Sequence, residues 1–93
     1  MSEKQTLHIA LPGAAGKMGQ MIASLVAEAR DIDILAASEH SQSPAIGNTI
    51  GAATISADEK ILGIGSGGVI IDFTRPEATM KHIEIAVASG TAM

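Results

Sequence analysis

The chain has 93 residues, 46% of them hydrophobic, with a single aromatic residue, no cysteine and a formal net charge of −4. That length allows one small domain, whose core must be built from Ile, Leu, Val, Met and Ala. The missing cysteines exclude a disulfide framework and a thiolate metal site, and the acidic balance argues against a general nucleic-acid binder.

The N-terminus, Met1 to Thr6, lacks a basic segment followed by a signal-like apolar core. No apolar run is long enough to span a bilayer. A protein of the cytoplasm, without a membrane partner, is expected.

Thr6 to Leu11 reads as a buried parallel strand because its apolar character is nearly continuous. Pro12 and Gly13 end it. The loop Gly13-Ala14-Ala15-Gly16-Lys17-Met18-Gly19 then leads into apolar residues at Met18, Met21, Ile22, Leu25, Val26 and Ala29. That spacing is one face of a helix, with the methionines as ordinary core. Ile32 to Ser38 is a second strand. Strand, glycine turn, helix and strand together have the size of a βαβ unit.

Ser38 to Thr54 is polar and aperiodic and reads as a loop, with a short strand near Ala53 to Ile55. Ala57 to Leu62 suits one or two helical turns. Gly63 to Gly68 is glycine-rich punctuation; it lacks the Lys-Ser/Thr ending of a P-loop and precedes a strand. Val69 to Phe73 is a strong strand. Thr74 and Glu77 have capping-box spacing, and Pro76 fits the first turn of a helix that runs to about Ser89 and stops at Gly90. Thr91 to Met93 reads as the start of another strand. This alternation predicts a Rossmann-like, doubly wound parallel sheet, incomplete within residues 1–93.

Ligands of such sheets bind at the carboxyl ends of the strands. The glycine loop, the Ser38–His40 turn and the Phe73–Arg75 turn meet there. A helix start offers unpaired N–H groups and a favourable dipole to a pyrophosphate, and glycines let the backbone come close. The loop is better written G-x-x-G-x-x-G than G-x-G-x-x-G. Glu39 follows the second strand, 20 positions after Gly19. A carboxylate at that distance can accept hydrogen bonds from a ribose. The plainer reading is a tight turn and a surface glutamate. Lys17 suits a bound anion, and equally a solvated lysine. Capping alone explains Thr74. Asp72, inside an apolar strand, needs partners and is expected to satisfy loop N–H groups. His8, His40 and His82 do not cluster, so no metal site is expected, and His82 reads as a surface residue of its helix. No nucleophile–base pair stands out.

Two stretches carry a family resemblance. Gly-Ala-Ala-Gly-Lys-Met-Gly-Gln (13–20) resembles the nucleotide loop of the dihydrodipicolinate reductases, and Ile-Asp-Phe-Thr-Arg-Pro-Glu (71–77) resembles their second and more specific hallmark. The resemblance implies the NADH- or NADPH-binding part of an oxidoreductase of lysine and diaminopimelate synthesis. It would pass hydride to a small cyclic dicarboxylate, and be a homo-oligomer when full length. By that similarity Gly13, Gly16, Lys17, Met18 and Gly19 would hold the pyrophosphate and nearby ribose. Glu39 would bind the adenosine ribose, and His40 stands where many members have an arginine for the 2′-phosphate of NADPH. Phe73, Thr74 and Arg75 would line the nicotinamide side.

There are departures. Pro12 precedes the first glycine, Ala15 replaces a glycine, and an imidazole lacks the fixed charge and forked donors of a guanidinium. A bias to NADH, or dual use helped by Lys17, is therefore expected. The substrate domain with its acid–base residues finds no counterpart in residues 1–93, so no catalytic residue is assigned and these residues alone are expected to be inactive. The competing readings are another amino-acid pathway dehydrogenase, a non-enzymatic nucleotide- or CoA-binding module, and a folded fragment without useful affinity.

Overall fold

The computed structural model describes residues 7–93. The expected strand start at Thr6 and the reading of Met1 to Thr6 lie outside the described residues. The elements are β1 (Leu7–Pro12), α1 (Lys17–Glu28), β2 (Ile32–Ser38), β3 (Thr49–Ile50), β4 (Ala53–Ser56), a 3₁₀ turn (Glu59–Leu62), β5 (Gly68–Ile70) and α2 (Pro76–Ser89).

The sheet runs β3-β4-β2-β1-β5. All pairs are parallel except the β3–β4 hairpin. The chain steps outward from β1 through β2 to β4, then crosses to the other side of β1 to form β5. The reversal leaves a crevice at the carboxyl ends of β1 and β5, the place where open α/β sheets bind ligands. Ala92 forms a parallel bridge with Val69, so Thr91 to Met93 does begin to pair at the β5 edge.

Side chains alternate across the sheet and build two cores. Ile9, Leu11, Ile34, Ala37 and Ile55 pack with Val26, Ile22 and Ala23 of α1 on one face. Ala10, Ala36 and Ile70 pack with Leu62, Ile85 and Ala86 on the other. The helices therefore cover opposite faces, which is the doubly wound, Rossmann-like arrangement. The β1–β2 register slips between Ile9 and Ala10, leaving Leu35 as an extra, exposed residue of β2.

Several local expectations are corrected. Of the expected face of α1, Ile22 and Val26 do pack on the sheet, joined by Gly19 and Ala23, whereas Met18, Met21 and Leu25 are exposed. Gly19 sets this rotation. A Cβ there would lie 2.5 Å from the Ala14 carbonyl oxygen and 2.6 Å from that of Gly13, so the helix start lies directly on the loop. The segment after Ser38 contains the unexpected strand β3. Strand β5 ends at Ile70, before Asp72 and Phe73, since Ile71 N–H makes the last bond to β1, with Ala10 O at 3.0 Å. Arg75, not Thr74, is the N-cap of α2, with Pro76 at its first turn and no side-chain cap bond. Gly90 closes α2 at φ 73°, as its left-handed stop requires.

Candidate functional site

Three chain segments converge at the carboxyl ends of the parallel strands. The glycine loop is tied to β2: Gly13 and Ala14 N–H both donate to Ser38 O, at 2.9 and 3.2 Å. Gly13 turns at φ 69°, and a Cβ on it would meet the Thr74 methyl at 3.0 Å. The loop is thereby pressed between the end of β2 and the turn after β5. Gly16 is the N-cap of α1, offers no side-chain cap and is followed by a first turn without an acidic residue. The N–H groups of that turn have no intrahelical acceptors, and their dipole favours an anion.

Two adjoining hollows result. A pocket of about 210 Å³ is lined by Gly13, Gly16, Lys17, Met18, Gly19 and Phe73, among others. A larger cleft of about 820 Å³ is lined by Glu39, His40, Ser41, Glu59, Thr74, Arg75 and His82, again with Gly13 and Phe73 at the junction. All ten residues singled out from the sequence thus line one hollow or the other. Thr74 and Arg75 share the cleft of Glu39 and His40, whereas Phe73 faces both.

Glu39 is held at the mouth of β2. One carboxylate oxygen accepts the Ala15 N–H at 2.8 Å and the other the His40 N–H at 3.3 Å. The carboxylate is only partly buried, so it braces the glycine loop and still faces the cleft. Lys17 and His40 are exposed at the rims.

The opposite wall rests on a network that sequence reasoning only half anticipated. Asp72 accepts the Thr74 N–H at 2.7 Å and the Thr74 hydroxyl through one oxygen. Its other oxygen lies 2.6 Å from His82 Nδ1. The expected satisfaction of loop N–H groups by Asp72 is thus present. Burial opposes its charge, but the bonds from the Thr74 hydroxyl, His82 and the Thr74 N–H outweigh that and hold the carboxyl below its ordinary value. His82 is 3% exposed, which corrects its reading as a surface residue. Its Nε2 lies 3.1 Å from Glu59 Oε2, an oxygen shut off from solvent and outside hydrogen-bond alignment. The available signal was spacing. His82 falls on the stripe of α2 that includes Ala78, Ile85, Ala86 and Ser89, all at least partly buried.

No group of three or more metal-ligating side chains is gathered among the described residues, and no described helix is long and apolar enough to cross a membrane.

The hollows lie where open α/β sheets receive nucleotides. A small pocket at an uncapped helix start adjoins a larger cleft with a carboxylate at its rim. Comparison with known proteins gives the same direction. The family model described as the N-terminus of dihydrodipicolinate reductase matches residues 7–93. The chain is similar to the 4-hydroxy-tetrahydrodipicolinate reductase of Ralstonia nicotianae, with 38% identity over 93 residues, covering 94% of this chain and 35% of the relative. It is 37% identical over 94 residues to the protein of that name from Herminiimonas arsenicoxydans, covering 94% and 35%. For the one from Bordetella pertussis it is 30% identical over 98 residues, covering 100% and 36%. The chain therefore spans 35–36% of the length of these relatives.

Proposed function

The chain belongs to the dihydrodipicolinate reductase family, whose N-terminal model it matches over residues 7–93, and from this we propose that it is the nicotinamide-dinucleotide-binding part of a reductase. The observation that carries the binding role is the junction of an uncapped helix start with the Glu39 cleft. In this reading the first-turn N–H groups of α1, with Gly13, Gly16, Lys17, Met18 and Gly19, hold the pyrophosphate. Glu39 accepts from the adenosine ribose hydroxyls. Thr74 and Arg75 form the facing wall, and Phe73 leads from that wall past the pyrophosphate towards the nicotinamide.

The bound nicotinamide supplies hydride chemistry. The chain's own residues bind and orient it. Reduction of a cyclic dicarboxylate in lysine and diaminopimelate synthesis, assembly into a homo-oligomer and residence in the cytoplasm are proposed for the whole protein. Residues 1–93 are proposed to grip the cofactor without catalysing its reaction.

Cofactor choice follows from the rim. Glu39 suits a free 2′-hydroxyl and repels a phosphate there. His40 is exposed beside it and lacks the bidentate fork that arginine presents to phosphate. NADH is therefore favoured, with NADPH accepted where Lys17 contributes.

Titration of the chain with NADH, NADPH and CoA, followed by nicotinamide fluorescence and by competition, tests this. NADH should bind at least as tightly as NADPH, and CoA should not displace it. Displacement by CoA, or no binding of either dinucleotide, would overturn the reading.

A further inference from the structure

His82 lies against the cleft, is almost wholly buried, and has a carboxylate oxygen at each ring nitrogen. No step in the binding scheme above uses it. Its two partners come from different segments: Asp72 from the turn after β5, and Glu59 from the 3₁₀ turn after β4. Nδ1 is within hydrogen-bond distance of Asp72, and Nε2 stands 3.1 Å from the Glu59 carboxylate as a close contact outside hydrogen-bond alignment. The ring is thus placed to bridge two segments that no strand pairing joins.

What it holds is specific. Asp72 passes the constraint to Thr74 through both the N–H and the hydroxyl. The Thr74 methyl lies 3.0 Å from where a Cβ on Gly13 would stand, so this turn is packed on the glycine loop. Glu39, across the cleft, holds the same loop through the Ala15 N–H. The side chains on both walls of the cleft are therefore referenced to one loop, and the wall of Thr74 depends on His82.

We propose that His82 is the positioning residue of this cleft: bridging the Asp72 and Glu59 carboxylates, it locks the Asp72–Thr74 turn against the glycine loop and fixes the wall that faces the ribose carboxylate. The proposal rests on the dinucleotide reading above. His82 acts through Asp72 and Thr74 and is not a catalytic residue.

The test compares His82→Leu with His82→Gln in the full chain, by NADH titration and by the Thr74 amide resonance in nitrogen-15 spectra. His82→Leu should weaken NADH binding about tenfold, as expected when a charged hydrogen bond no longer holds a wall of the site. It should also shift the Thr74 amide away from its carboxylate-bonded position. His82→Gln, which keeps an N–H for Asp72, should recover most of the affinity and the resonance. A folded His82→Leu protein with wild-type affinity and an unmoved Thr74 amide would overturn the positioning role while leaving the dinucleotide reading intact. Equal losses in both variants would overturn it too, since they indicate a merely structural residue. If His82→Leu does not fold, Glu59→Gln carries the test: a displaced Thr74 amide supports the bridge and an unmoved one defeats it. Failure of the wild-type chain to bind either dinucleotide removes the parent reading, and this proposal with it.

Discussion

The Glu39 carboxylate accepts the Ala15 N–H at 2.8 Å, so the residue read as a ribose ligand also fastens the phosphate loop to β2. In the proposed binding mode one side chain then serves two ends of the same ligand: it would present an acceptor to the ribose while setting the loop proposed to receive the pyrophosphate.

Replacing Glu39 with Ala should therefore weaken NADH binding about ten- to hundredfold, the range for losing a charged hydrogen bond with its partner left unpaired. Glu39→Gln should lose less, because its amide oxygen can still take the Ala15 N–H. Calorimetric titration of both variants checks this. Equal affinities for wild type and Glu39→Ala would rule out the double role.

Gly19 should tolerate no side chain. The 2.5 Å approach to the Ala14 carbonyl oxygen is to backbone, which cannot rotate aside, so Gly19→Ala must lift α1 off the loop. A cost of about 1–3 kcal/mol is expected from such overpacking, together with weaker dinucleotide binding. Urea denaturation supplies the first quantity and NADH titration the second. An unchanged urea midpoint would show that the contact is relieved without cost.

The parts legible in the sequence are those whose cause is local. A glycine loop between a strand and a helix, Gly90 at a positive φ, and Glu39 one strand further on follow from backbone chemistry and spacing. The face of α1 was not legible. Its sequence holds two overlapping stripes, the expected Met18-Met21-Ile22-Leu25-Val26-Ala29 and the observed Gly19-Ile22-Ala23-Val26. Hydropathy selects the first, whereas the close approach at Gly19 selects the second. The start of α2 failed for a related reason. Thr74 with Glu77 spells a capping box, but Asp72 takes the Thr74 hydroxyl first, and Pro76 at the first turn moves the cap to Arg75. The pairing of His82 with Asp72 and Glu59 is a tertiary contact between three segments, beyond the reach of any local pattern.

The exposure of Leu25 can be measured directly against the burial of Val26, which both stripes share. Val26 is buried in the core beneath α1, whereas Leu25 is 64% exposed. Val26→Ala should cost about 2 kcal/mol of stability, the sum of lost burial and an imperfectly closed cavity. Leu25→Gln, a more drastic change of character, should stay within about 0.5 kcal/mol. Chemical denaturation of the two variants ranks them. A cost for Leu25→Gln as large as that for Val26→Ala would restore the hydropathic stripe as the core face.

Stability should also fall in acid through Asp72. Its carboxyl is held below the ordinary value of 3.8 because the bonds from Thr74 and His82 outweigh the opposing effect of burial. In the unfolded chain those bonds are gone and the ordinary value returns. The folded state is thus favoured by the full amount above pH 3.8, and this contribution drains away as the pH falls through the lowered native value. Asp72→Asn removes the titration while keeping an acceptor for Thr74, so its stability should change less between about pH 6 and about pH 3 than that of the wild type. Urea midpoints across that interval give both slopes. If the two proteins lose stability in parallel, the acid sensitivity belongs to other carboxylates and the Asp72 network does not favour the charged form.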